Sequence, residues 1–282
     1  MEQNSNVTET VITTINTIFE NLFSSIDNNL YEILDKITFV SQDILKDKYF
    51  EKIFGTSTTN GILLIANSLL IGFLLYYATK FIMSNLTYSK IESPSQFLFK
   101  MLIFGICMNS SYFIVEQILS FNYNITQAIQ GLGEDLFNEK ICFSNLIISI
   151  NTSMAIDTTS MDIFSLDGLI KGTLTVSLLN LVFSYSLRFV MIKIFVIISP
   201  FAFLSLSQES TSWFFRTWFR NLFSLLFIQI IVAIVLLILF SMDYSSKDLL
   251  TKFIYIGGIY ALIKANSFVR EFIGGVSTNV GR

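Results

Sequence analysis

The sequence predicts an all-α polytopic membrane protein with about five transmembrane helices, one re-entrant or broken helix, and an N-terminal amphipathic helical region. Three observations predict it. Hydrophobic residues make up 52% of the chain and aromatic residues 15%, against 14% charged, which lies outside soluble globular composition. Several apolar runs reach the roughly 20 residues that an α-helix needs to cross a hydrocarbon core about 30 Å thick. Basic residues gather at alternate ends of those runs, as the positive-inside rule requires of an oriented protein.

Residues 1–60 place apolar side chains at steps of three and four, among them Val11, Ile15, Leu22, Ile33, Ile37, Val40 and Ile44, so one long or two shorter amphipathic helices are expected. Acids outnumber lysines there, which suits an extracytoplasmic position. No basic stretch followed by a short apolar core opens the chain, so insertion falls to the internal spans. The first span is 61–83, left through Lys80. The second is 97–119, with Lys100 and Glu116 near its ends, and the connection holding Lys90 and Pro94 is a short inner loop. Residues 120–168, acidic through Glu134, Asp135, Glu139, Asp157, Asp162 and Asp167, read as a large outer loop. The remaining spans are 169–198, 221–240 and 249–265, with Arg270 and Arg282 on a short inner tail. This places the N-terminus outside and the C-terminus in the cytoplasm of a multi-pass protein of the cell membrane.

The third span runs on without a polar stop into Ile197-Ile198-Ser199-Pro200-Phe201-Ala202. Pro200 is one of two prolines in the chain, lacks an N–H, and disfavours helix at Ser199, so a break is expected there. Arg188 and Lys193 precede that point while Arg216 and Arg220 follow it. Both pairs belong on the cytoplasmic side, and the apolar stretch between them is too short for two crossings. Residues 194–215 therefore read as a re-entrant or interfacial linker, a packing or pathway surface.

Several chemistries are excluded or lack support. Without histidine there is no His-based triad, His-zinc site or imidazole base. No P-loop occurs, and the carboxylate pair Glu134-Asp135 stands in a polar stretch, so no enzyme activity and no cofactor is expected. A net charge of −3, with no cluster of Lys and Arg, gives no sign of direct nucleic-acid binding. Cys107 and Cys142 fall in different environments and are read as unpaired. Polar residues inside spans are the better candidates, because burying them in lipid is costly. Gln229, Asn109 and Asn180 read as helix-to-helix hydrogen bonds or as pathway lining. Trp213, Arg216, Trp218 and Arg220 form an aromatic-basic cluster that either anchors the fourth span at the interface or meets a cytoplasmic partner.

Arg188, then Ser199-Pro200-Phe201-Ala202, then Thr211, Phe215, Trp218-Phe219 and finally Gln229 resemble the core pattern of the TrbL-like polytopic inner-membrane subunits of type IV secretion and conjugation machines. The resemblance covers about 45 residues clearly. It implies a channel or scaffold component that helps move DNA or protein across the cytoplasmic membrane. Implied partners are other membrane subunits, separate ATPases that power transfer, further copies of the same chain, and the lipid bilayer. The alternative is a permease subunit of a small-molecule or peptide transporter, a class that often carries paired broken helices in two mirrored halves; here a single break is expected.

Overall fold

The computed structural model describes residues 28–55, 60–87, 93–153, 166–242 and 249–274, with a few helical positions in 10–17. The apolar stripe at 18–27, the acids Asp157 and Asp162, and Arg282 lie outside the described residues. Among the described residues there are helices and no strands. In chain order they are α1 (Asn28–Thr38), a 3₁₀ turn (Gln42–Leu45), α2 (Lys48–Phe54), α3 (Ile62–Thr87), α4 (Pro94–Asn109), α5 (Ser111–Phe137), α6 (Phe143–Ser153), α7 (Leu166–Ser205), α8 (Ser212–Phe240) and α9 (Leu249–Ile273). Three are long and apolar enough to cross a membrane: Ile62–Thr87, Gly172–Ser205 and Ser212–Phe240. A fourth span results if α4 and α5 count as one, bent by 58° at their junction. The chain is thus an all-α, multi-pass membrane protein. α9 covers the expected fifth span, but Lys252 and Lys264 leave it less apolar than the others.

α8 is the centre of the bundle. Its apolar stretch is 56% buried against 6% for that of α3, and α5, α7 and α9 all pack on it. α7 and α8 form an antiparallel hairpin. Trp218 Nε1 donates to the Phe195 carbonyl at 2.8 Å and Arg188 Nε to the Leu225 carbonyl at 2.9 Å, so one register runs through both contacts and sets Lys193 level with Arg220. α9 lies close on α8 because Gly258 faces Leu239, where a Cβ would collide with the leucine side chain. α3 and α4 pair on the outer side of α7, with Tyr77 stacked on Phe97 at 3.7 Å.

The expected break at Ser199-Pro200 is not there. α7 continues through Pro200 to Ser205. A proline at 200 removes the N–H that would bond the Val196 carbonyl, and Ser199 Oγ donates to that carbonyl instead, at 2.7 Å. A hydroxyl one residue before the proline thus supplies the missing bond, as hydroxyls do in membrane helices. The helix ends later, where Ser205 Oγ donates to Ala202 O and Thr211 Oγ1 to Ser205 O, both at 2.7 Å. So 194–215 is a helix end, a tight turn and a helix start. The hairpin brings Lys193 to the same end as Arg216 and Arg220, whereas Arg188, expected beside Lys193 at the cytoplasmic face, is buried inside the bundle at the level of Leu225.

The broken helix occurs at Ser110 instead, so 97–119 is not one straight span. Nor are the described residues of 120–168 mainly a loop: α5 runs on to Phe137, and its stripe Val115, Leu119, Asn122, Thr126, Gln130 and Gly133 is buried despite its polar members. Gln130 Nε2 donates to Ile141 O at 2.9 Å, tying the turn after α5 back to the helix.

The N-terminal region also departs from expectation. α1 buries Tyr31, Leu34 and Thr38, one position out of phase with the expected stripe, and leaves Ile33 52% exposed. Beyond α1 the chain leaves the helix and runs between α7, α8 and α5, burying Val40, Ile44 and Leu45. Tyr112 OH donates to Leu45 O at 2.8 Å, and Asp47 comes within 3.8 Å of Lys193. That proximity puts Asp47 and Lys193 on one side. An extracytoplasmic 1–60 and a cytoplasmic Lys193 therefore cannot both hold; residues 38–47 lead toward the Lys193–Arg220 end.

Candidate functional site

The most unusual chemistry is a buried cation at mid-bundle. Arg188, on α7, is fully buried and has no carboxylate partner among the described residues. Its bonds go to neutral acceptors: Nε to Leu225 O, Nη2 to Thr38 O at 3.0 Å, and Nη2 to Gln229 Oε1 at 3.3 Å. Gln229 Oε1 also accepts from the Val40 N–H at 3.1 Å. Two side chains from the α7–α8 hairpin thus hold the last carbonyl of α1 and an amide of the non-helical stretch that follows it.

This answers the accounting that irregular backbone demands at such depth. Thr38 O and Val40 N–H have left the helical ladder, and leaving either unpaired away from water costs about 1–3 kcal/mol. A guanidinium reaches both the carbonyl and the amide oxygen that holds the N–H. Tyr185 completes the setting: its ring centroid lies 5.9 Å from Arg188 Cζ, and its hydroxyl donates to Leu262 O of α9 at 3.0 Å. Arg188 Nη1, Gln229 Nε2 and the hydroxyls of Thr38 and Ser184 have no partner among the described residues. The cluster joins α1, α7, α8 and α9.

Outside the candidate spans, Asp35 on α1 accepts from the Phe143 N–H at 2.8 Å and the Ser144 N–H at 3.3 Å, capping α6 from a distant part of the chain. Burial pushes its carboxyl above the usual range, against the pull of those two N–H groups. α1 is therefore fastened at Thr38 by α7 and at Asp35 by α6.

The structure sorts the other expected residues. Arg188 and Gln229 come together. Ser199 and Pro200 are buried higher on α7, in a structural role. Trp218 is 2% exposed, packed on Phe203 and Phe215 and bonded to Phe195 O, so it belongs to the hairpin core rather than to a surface cluster. Trp213, Arg216 and Arg220 are exposed. Asn109 exchanges two amide bonds with Asn67 of α3, at 3.1 and 3.2 Å. Asn180 is half-buried on α7 and stands apart from the cluster. Thr38, Val40 and Tyr185 were not singled out from the sequence, because two of them act through backbone atoms that carry no residue signal. No group of residues suited to a metal ion occurs among the described residues.

Fold and site together define a class: an all-α multi-pass membrane protein whose N-terminal segment is fastened by a buried arginine. No protein-family model, curated protein or solved structure matches the chain.

Proposed function

We propose that this chain is a non-enzymatic channel or scaffold subunit of a TrbL-like type IV secretion or conjugation apparatus in the cytoplasmic membrane, working with other membrane subunits, separate ATPases and further copies of itself. One observation supports the reading above others. The residues that carry the resemblance, Arg188 through Gln229, are the ones that build the α7–α8 hairpin and its hold on the N-terminal segment. Such a pattern is what a shared structural core would impose. In this reading the end bearing Lys193, Arg216, Arg220 and Arg270 faces the cytoplasm by the positive-inside rule. The test is purification of the tagged chain from its own membranes in mild detergent, with mass spectrometry of what accompanies it. Secretion ATPases and apparatus subunits are expected. A substrate-binding protein with a transporter ATPase, and no secretion component, would replace this reading with the permease.

A further inference from the structure

Three exposed arginines converge where two helices end. Arg216 and Arg220 stand one turn apart in the first turns of α8, and Arg270 lies in the last turn of α9. Gly274, at φ +74°, closes α9 by donating its N–H to Arg270 O at 2.8 Å. Arg220 lies across that closure: a Cβ on Gly274 would meet its Cδ and Nε at 3.6 Å and its Cζ at 3.7 Å. None of the three arginines has a hydrogen-bond or ion-pair partner among the described residues. Exposed rings adjoin them, Trp213 at 63% on α8 with Phe268 at 50% and Phe272 at 76% on α9.

The depth of this cluster is set by a second observation. At the other end of the bundle Gly133 nests on Leu237 of α8, with exposed Glu134 and Asp135 beside it. From Arg216 to Leu237 the helix rises about 31 Å, close to the thickness of a hydrocarbon core. Unpaired arginines with aromatic rings, near the exposed acids Glu209 and Glu271, thus stand one bilayer away from Glu134 and Asp135. Lys264, deeper on α9, departs from this pattern and is held 5.4 Å from the Tyr260 ring centroid.

From this we infer that Arg216, Arg220 and Arg270 form a binding site for the phosphate of an anionic phospholipid in the leaflet at this end, with its acyl chains running inward past Phe268 and with Trp213 and Phe272, nearer the helix termini than the arginines, at the headgroup level. Guanidinium groups present planar forks that fit phosphate oxygens two at a time, and exposed rings favour the headgroup boundary over bulk water. A soluble phosphate would use the arginines and leave the rings uncovered.

The reporter is F268W in a W213F background, on the acyl side of the arginines, since the remaining tryptophan, Trp218, is buried. The full chain is placed in vesicles of phosphatidylcholine with a small share of phosphatidylglycerol, one or the other lipid carrying brominated acyl chains that quench nearby tryptophan. Quenching by brominated phosphatidylglycerol is expected to exceed its bulk share, to vanish in W213F without F268W, and to resist added inorganic phosphate. Each arginine changed to Gln should cut the preference by about fivefold at low salt. Equal quenching by the two lipids would overturn the site. So would a preference that survives R216Q/R220Q/R270Q, or one abolished by inorganic phosphate, which would make the ligand a free anion. These side chains are exposed, so the variants fold, and circular dichroism of the purified protein checks it.

Discussion

Replacing Arg188 with Met keeps an unbranched side chain in the core and removes every donor it supplies. Leu225 O retains its helical position, and Gln229 Oε1 retains the Val40 N–H, so the principal loss is at Thr38 O. A buried carbonyl left unpaired costs about 1–3 kcal/mol, and removing an unpaired buried charge offsets part of that. The net expectation is about 2 kcal/mol against docking of residues 38–47, which at about 1.4 kcal/mol per decade is roughly a 30-fold faster opening. Hydrogen exchange with mass spectrometry on the purified protein reads this in the peptide containing Val40, whose amide is protected by Gln229. The α8 peptide around Leu236 should exchange as before, since the hairpin keeps its apolar core. R188K should fall between the two, because one ammonium cannot reach Leu225 O, Thr38 O and Gln229 Oε1 with Arg geometry. Unchanged protection at Val40 in R188M would refute the view that Arg188 fastens this segment.

Three further outcomes follow from the contacts. S199A should destabilise α7 by about 1–2 kcal/mol because Val196 O loses its donor, whereas P200A alone should be close to neutral; in S199A/P200A the restored backbone N–H should recover most of the loss, read by thermal melting in detergent. W218F should lower stability by about 1 kcal/mol through the lost bond to Phe195 O, while R220K leaves melting unchanged; equal effects would place Trp218 on the surface. For Asp35 the folded-state pKa is raised, so its contribution is fully present below the usual carboxylate pKa and is lost as pH rises through the raised value. Packing of α1 on α6 should therefore tighten as pH falls from neutral toward the usual carboxylate range, and D35N should flatten that slope, measured by exchange in the peptide spanning Phe143.

Much of the architecture was legible because lipid imposes a simple rule on sequence. The expected spans 169–198 and 221–240 fall inside α7 and α8, and 61–83 falls inside α3 except for Gly61; such long apolar runs admit few other structures in a bilayer. The errors came where one side chain overrides a rule. Pro200 reads as a break until Ser199 is counted as a substitute donor. Ser110 bends the chain where Asn109, Ser110 and Ser111 interrupt an apolar run, a signal present in the sequence but outweighed by span length. The part of α5 beyond residue 119 reads as a loop because Glu134 and Asp135 make it acidic and its buried stripe includes the polar Asn122, Thr126 and Gln130. At the site, Gln229 is legible because a polar residue in an apolar helix stands out, whereas Arg188 reads as a cytoplasmic charge, and their partners include backbone atoms of Thr38 and Val40. Only the tertiary fold, which brings residues from opposite ends of the chain together, could supply those.

The central claim is that residues 38–47 lie within the bundle and emerge at the Lys193 end. It is tested most directly by cross-linking in native membranes. In a chain with Cys107 and Cys142 changed to Ser, cysteines replacing Asp47 and Lys193 should be joined by a short bis-maleimide, since the native side chains approach to 3.8 Å. Cysteines replacing Asp47 and Glu134, at opposite ends of the bundle, should not. A product from the second pair and none from the first would contradict the account.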